Sequence, residues 1–329
     1  MSKPVLICGL GSIGRRHMRN LQAIGHHQII LYRTGKSTLP ADELAGLPAF
    51  STMETALTTT PAAAIISNPS ALHMPTALQA ARAGCHVLIE KPISHNMDGV
   101  QELAKLVQQQ NIQVLVGFQF RFHPGLRRIK QWLAEKAIGR VVSVQAHWGE
   151  YLPNWHPWED YHQSYSARRE LGGGVILTLC HPFDYLRWLF GKVSTVSATI
   201  TDGGLDIPVE DTADVHLQFA SGVLGHVHLD YIQRPPAHWL HIVGRRGTIR
   251  WGNADGTACL YRSATHSWET FPMEPDFERN ALFMAEMRHF LECVAGRETP
   301  YATLTDGIQV LKIALAAKQA ALEQRTIPV

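Results

Sequence analysis

Two short stretches hold residue types whose spacing can do chemistry. In GGGVILTLCHPFD, residues 172–184, an imidazole and a carboxylate stand three apart as His181 and Asp184. Positions i and i+3 share a helix face, so Asp184 can orient the His181 ring, and imidazole titrates near neutral pH, as a general acid or base must. Three positions before the histidine stands Thr178. Its hydroxyl is no base at neutral pH. It can bond a substrate hydroxyl or turn back to a carbonyl of its own helix, and both readings stay open. Pro182 offers no N–H to the Thr178 carbonyl, so a helix over about Gly174 to Phe190 should kink there.

The other stretch is VLICGLGSIG near the start. Val5 to Cys8 is a short apolar run suited to a buried parallel strand, and Gly9, Gly11 and Gly14 follow in the spacing GxGxxG, with Ser12 and Ile13 between them. Gly9 permits the tight turn, Gly11 lets a pyrophosphate approach the backbone, and Gly14 lets helix and strand pack closely, while the N–H groups at the helix start face the phosphates. The next strand, Gln28 to Tyr32, leads into LYRTGKS. An acid there would bond the ribose 2′-hydroxyl of NAD; Arg33, Thr34 and Lys36 instead offer positive charge and a hydroxyl to a 2′-phosphate. NADP is therefore the expected cofactor, with NAD as the alternative.

The elements that must position these residues alternate. AAAIISN, CHVLIE and QVLVGFQF read as strands, with helices in HMPTALQAARAG and MDGVQELAKLVQQQN, a β-α-β rhythm that predicts a parallel sheet with ligand contacts at its strand ends. Two ends are chemically loaded: Ser67, Asn68 and His73 in SNPSALH, and Glu90 and Lys91 in EKP. Later runs at 141–148, 193–201, 212–219, 223–231, 239–244 and 248–251 are β-rich between Gly, Asp and Pro turns, and two amphipathic helices follow at about 281–294 and 305–324. The expected fold is α/β: a Rossmann doubly wound domain over 1–119, then an α/β domain over 120–329 with a large, mostly antiparallel open sheet. A chain of 329 residues suits two cores.

Thirty basic against 28 acidic residues give a net charge of +2, which offers no general attraction to nucleic acid or membranes. The five cysteines are odd in number and contain no CxxC pair, as buried thiols of a reducing compartment would. No signal-like or membrane-length apolar run is present, so a cytoplasmic location is expected.

Taken together, GLGSIG, SNPSALH, EKP, GFQFRFHP (117–124), GGG followed by His181-x-x-Asp184, and FMAEMRHFLECVAG resemble the Gfo/Idh/MocA oxidoreductases, the family of glucose–fructose oxidoreductase and inositol 2-dehydrogenase. The resemblance runs in order along the whole chain. It implies an NAD(P)-dependent dehydrogenase that acts on CH–OH groups of a sugar, sugar derivative or cyclitol, and a homodimer or homotetramer formed through the C-terminal sheet. Lys91 would stabilise the developing alkoxide, His181 would be the acid/base, and Asp184 would position it. Glu90 would lie near the ribose and nicotinamide, and Ser67, Asn68, His73 and Gln119 would join the cofactor contacts. Many relatives carry an aspartate three or four positions before the histidine, where this chain has Thr178. That difference keeps a second reading, a catalytically weak or inactive NAD(P)-binding regulator of the same fold.

Carbohydrate contacts are expected from Lys91, Arg121, Trp155, Arg168, Thr178 and His181. The segment 148–169 is rich in Trp, Tyr and His, whose aromatic faces stack on sugar C–H faces; a lid packed on the second domain or a subunit contact is the alternative. His156, Asp160 and His162 lack any HExxH-like arrangement, so no metal is expected.

Overall fold

The computed structural model describes residues 3–35 and 39–329, and Lys36 lies outside them. The chain forms two compact units. One takes the residues up to Gln119 with 170–172 and 279–311, and the other takes 120–169, 173–278 and 312–329. The chain therefore crosses between units more than once rather than at a single cut after 119.

The first unit holds β1 (Val5–Cys8), α1 (Ser12–Ala23), β2 (Ile29–Tyr32), β3 (Ala49–Phe50), α2 (Met53–Leu57), β4 (Ala63–Ile66), α3 (Ser70–Arg82), β5 (His86–Ile89), α4 (Val100–Gln110) and β6 (Val114–Val116). Its six strands are all parallel, in the order β3-β2-β1-β4-β5-β6. The strand order reverses between β1 and β4, the place where open α/β sheets bind ligands. Strands β1 and β4 are buried along their whole length, which explains their unbroken apolar sequences.

The expected strand QVLVGFQF stops early. The Phe118 N–H turns back to the Val116 carbonyl at 2.7 Å, and Gln119–Phe122 forms a 3-10 turn. Its phenylalanines are buried by packing rather than by a ladder.

The second unit contains α5 (Pro124–Ala134), β7 (Val141–Gly149), α6 (Val175–Thr178), α7 (His181–Phe190), β8 (Val193–Thr201), β9 (Thr212–Phe219), β10 (Leu224–Asp230), β11 (Ala237–Gly244), β12 (Gly247–Gly252), β13 (Ala258–Arg262) and β14 (Ser267–Phe271). The chain then runs through α8 (Asn280–Val294), which packs on α1 in the first unit, α9 (Leu304–Glu323) and a short β15 (Ile327–Pro328). The nine-stranded sheet has the order β14-β13-β12-β11-β7-β10-β9-β8-β15, antiparallel throughout except for the parallel pair β7 and β10.

Alternation sets its two faces. Along β9, Ala213, Val215, Leu217 and Phe219 are buried while Asp214, His216 and Gln218 face outward. The outward face carries His147, His226, His228, Trp239 and His241 on the neighbouring strands.

The single helix expected over 174–190 is broken. It divides into α6 and α7 at Leu179 and Cys180, because Pro182 has no N–H to extend α6 and sits instead in the first turn of α7, where the missing donor costs nothing. Among the described residues, no helix is long and apolar enough to cross a membrane.

Candidate active site

In the first unit the glycines leave room that only glycine can leave. A Cβ on Gly9, whose φ is +96°, would lie 2.4 Å from the Asn68 backbone nitrogen, and one on Gly14 would lie 2.0 Å from the Gly9 carbonyl oxygen. A Cβ on Gly11 would meet nothing within 4 Å, so that side of the loop stays open to a ligand. The loop is braced from beneath, where the Ser67 hydroxyl donates to the Cys8 and Gly9 carbonyls at 3.1 and 2.9 Å. Ser12 and Ile13 open α1, so their backbone N–H groups lie at the positive end of its dipole. These features fit a dinucleotide pyrophosphate.

Beside the cradle, Asn68 gives its Nδ2 to Thr76 at 2.9 Å, while its buried Oδ1 meets no protein partner among the described residues. An amide oxygen in that state suits a ligand hydroxyl. His73 is fully enclosed, with Nδ1 at 2.7 Å from the Pro92 carbonyl and Nε2 at 2.7 Å from the Asn68 carbonyl. It ties the two loaded strand ends together; burial depresses its pKa, against the pull of those carbonyls. Arg33 and Thr34 follow β2 at the partly exposed edge of the same unit. The Arg33 backbone N–H is fixed to Phe50 at 3.0 Å.

Glu90 is buried at the end of β5, and the His17 Nε2 meets its Oε1 at 2.8 Å. Burial works to raise its pKa, but the His17 hydrogen bond and the nearby His17, Lys91 and His73 outweigh it and hold the carboxyl below its ordinary range. Its other oxygen accepts from the Lys91 backbone N–H at 3.2 Å. A Cβ on Gly117 would come within 2.9 Å of the same carboxylate. Glu90 is thus fixed as the support of the corner that carries Lys91, and Gln119 is buried in the same unit. The role of His17 was not legible in sequence. Only its place on the buried face of α1 hinted at one.

In the second unit, Gly174 shapes the start of α6 ahead of His181. Gly174 has φ of +105°, and a Cβ there would strike the Glu210 carboxylate at 2.4 Å, which Lys318 neutralises at 3.0 Å. The Glu210 carbonyl also accepts the N–H of Val175 at 3.0 Å, fixing the start of α6.

His181 heads α7, buried among aromatic rings. It stacks with Trp148 (centroids 5.4 Å apart, 19° between planes) and meets the edge of Phe120 at 5.1 Å. His238 shares both neighbours, parallel to Trp148 at 4.2 Å, and its Nε2 lies 3.3 Å from the Tyr185 hydroxyl. Burial pushes the Tyr185 phenol well above its usual range. His238 went unnoticed in the sequence, where it is one histidine in an alternating strand.

Asp184 is claimed by Arg121, whose Nε lies 3.1 and 3.0 Å from the two carboxylate oxygens and whose Nη2 lies 2.6 Å from Oδ1. Both residues are buried, so Arg121, expected among substrate contacts, carries a buried ion pair at the foot of α7. Thr178 is buried beside the Tyr231 phenol. That oxygen meets no partner of good geometry among the described residues, and the hydroxyls of Thr178 and Ser166 are the groups that approach it. His123 caps α5, accepting the Gly125 N–H on Nδ1 at 3.1 Å, and burial drives its pKa down to about 4.

Residues 150–171 run through short 3-10 turns. Trp155 meets the edge of Tyr231 at 5.6 Å, and the Arg168 carbonyl accepts the Gly173 N–H at 2.9 Å. His162 and Asp160 pair with each other at 2.6 Å and His156 lies against Trp158; among the described residues these three form no metal-capable group.

A family model described as "Oxidoreductase family, NAD-binding Rossmann fold" matches residues 3–118, and one described as "GFO/IDH/MocA C-terminal domain" matches 126–250. An uncharacterised oxidoreductase of Synechocystis sp. is 28% identical over 298 residues, covering 81% of this chain and 79% of its own. Myo-inositol 2-dehydrogenase of Thermotoga maritima is 25% identical, covering 98% of this chain and 97% of its own. Among solved structures, levoglucosan dehydrogenase in complex with NADH and levoglucosan superposes with a TM-score of 0.89 at 20% identity, covering the whole of both chains.

Proposed function

The chain belongs to the Gfo/Idh/MocA oxidoreductases, NAD(P)-dependent dehydrogenases with a Rossmann domain, and from that premise we propose that it oxidises a ring CH–OH of a sugar, sugar derivative or cyclitol, or reduces the corresponding ketone, with NADP preferred. When bound, the nicotinamide cofactor would supply the hydride acceptor or donor. The observation that carries the reading is the fixed Glu90–Lys91 corner, anchored by His17 in the same unit as an open glycine cradle.

The residues divide the work. Backbone N–H groups of the Gly9–Gly14 loop would hold the pyrophosphate, and Asn68 would offer its Oδ1 to the cofactor. Arg33 and Thr34 favour a 2′-phosphate. Lys91 supplies positive charge to the alkoxide oxygen that develops as the hydride moves, and His181 takes or returns the hydroxyl proton. Asp184, tied to Arg121, holds the first turn of α7 and with it the placement of His181. With threonine at 178, proton transfer falls to a single base. Trp155 and Arg168 belong to the carbohydrate side, and the nine-stranded sheet is the surface through which copies of the chain would associate.

A panel of inositols, aldoses, anhydrosugars, amino sugars and nucleotide sugars, followed through the absorbance of reduced nicotinamide with each cofactor, tests the proposal. Turnover of at least one class is expected, lost in His181→Ala with cofactor binding intact. Tight cofactor binding with no turnover across the panel would instead favour the regulator.

A further inference from the structure

The outward face of the nine-stranded sheet carries a cluster that hydride transfer does not use. The parallel pairing of β7 and β10 sets His147 directly opposite His228 and Gly149 directly opposite Asp230. The donor atoms of His147, His228 and Asp230 all lie within 4.8 Å of one another.

Their surroundings aim them. The His228 Nδ1 lies 2.9 Å from the Asp214 carboxylate, and its Nε2 lies 3.1 Å from Asp230 Oδ2. A carboxylate behind an imidazole that points at a further ligand is the usual outer-shell arrangement of a metal-bound histidine. The His147 ring is held in a stack, 4.7 Å from His228 on one side and 5.2 Å from Trp239 on the other. Its Nε2 touches the side-chain oxygen of Gln233. Asp230 spends its other oxygen, Oδ1, on the N–H groups of Ile232 and Gln233 at 2.8 and 2.6 Å, leaving Oδ2 for the cluster.

Gly149 keeps the space clear. A Cβ there would lie 2.3 Å from Asp230 Oδ2 and 2.3 Å from the Gln233 side-chain oxygen, so both oxygens converge on the point that a side chain would fill. Four donors thus gather in one place: two imidazole nitrogens, a carboxylate oxygen and an amide oxygen. Zinc bonds of about 2.0–2.2 Å in a tetrahedron set donors about 3.3 Å apart. The His228–Asp230 separation is already close to that, and no two of the His147, His228 and Asp230 donor atoms lie more than 4.8 Å apart.

We propose that His147, His228 and Asp230, with the Gln233 side-chain oxygen as a fourth donor, form a binding site for a zinc-class divalent transition-metal ion. Two imidazoles with oxygen donors suit zinc, cobalt or nickel rather than calcium or magnesium. Placed on adjacent strands and the turn after β10, the ion would staple β7 to β10 and stabilise the sheet; it is far from a substitute for the nicotinamide chemistry and needs no part in it.

The test uses the full chain stripped with a chelator and titrated with zinc chloride by calorimetry, with cobalt(II) absorption as a second readout. One ion per chain is expected, with a dissociation constant of about a micromolar or tighter and a raised Tm. His147→Phe keeps the stacked ring and removes its nitrogens, and Asp230→Asn keeps an oxygen for the Ile232 and Gln233 N–H groups. Each should weaken binding by about tenfold or more. The exposed His216→Gln should bind as the parent does. Absence of saturable micromolar binding would overturn the site. So would a His147→Phe protein that is folded by circular dichroism and binds zinc like the parent, since the ion would then sit elsewhere.

Discussion

Arg121 and Asp184 form a bidentate ion pair, both buried and 63 residues apart in sequence. Removing one partner from a buried pair strands the other charge, at a cost of about 3–5 kcal/mol. Arg121→Ala and Asp184→Ala should each lose about that much in urea unfolding, and the double variant should lose much less than their sum. Additive losses would mean that the two side chains are stabilised independently of each other.

His17 supports Glu90 across 73 residues of sequence. His17→Phe takes a hydrogen bond from a buried carboxylate, worth about 1.5–3 kcal/mol, and should weaken cofactor binding as the Glu90–Lys91 corner loosens. His17→Gln, which keeps an amide donor, should recover part of both. Because Glu90 has a lowered folded pKa, its contribution is present above its ordinary pKa of 4.5 and is lost as pH falls through the folded value. Without His17 the carboxyl loses the main interaction that lowers its pKa against burial, so the His17→Phe protein, less stable at neutral pH, should lose less further stability than the parent as pH falls through that range, as a melting series in acid would record.

Neither pairing can be read from sequence, because a side-chain partner 63 or 73 positions away is chosen by tertiary register. What periodicity and glycine spacing do reveal is local: the buried runs of β1 and β4, the cradle Gly9-x-Gly11-x-x-Gly14, and the alternation of β9. Local signals also mislead. QVLVGFQF has strand composition along its length, yet the chain leaves the sheet after Val116 and buries its aromatics around a 3-10 turn. Pro182 signals a kink, but the division of the helix shows only in the backbone of Leu179, which leaves helical geometry while Cys180 keeps it. Strands β13 and β14 are short, and their mixed sequences ACLYR and SWETF carry little signal without the neighbour β12 that organises them.

The cofactor assignment rests on Arg33. Arg33→Asp places a negative charge where a 2′-phosphate would lie and should raise the KM for NADPH by about tenfold or more while changing that for NADH little. Steady-state kinetics with both cofactors decide it, since an equal effect on the two would remove the preference for NADP.

His123 provides a pH test in the second unit. Its folded pKa of about 4 lies below its ordinary 6.5, so between those values the unfolded chain binds the extra proton. Stability from this group is full above pH 6.5 and falls as pH drops toward 4, by about 3 kcal/mol in all. His123→Asn keeps a side-chain acceptor for the Gly125 N–H at the start of α5 and removes the titration. Its unfolding free energy should decline less steeply over that window than the parent's; parallel curves would mean that His123 is protonated in the folded chain.

Thr178 is the position where relatives were expected to carry a carboxylate, and its surroundings indicate how that change would be received. The residue is buried, and it approaches the phenol of Tyr231, whose pKa burial has already driven well above the ordinary range. A carboxylate introduced there would be desolvated, so its own pKa would rise and it would stand protonated, a hydrogen-bond donor and not a base, at any pH below that raised value. Thr178→Asp should therefore cost at least about 2 kcal/mol of stability without raising turnover. Thr178→Val, which keeps the shape and removes the hydroxyl, should cost about 1 kcal/mol and leave kcat close to the parent's. A Thr178→Asp enzyme with unchanged Tm and a higher kcat would show instead that the pocket accepts an ionised acid and that His181 gains from a carboxylate partner.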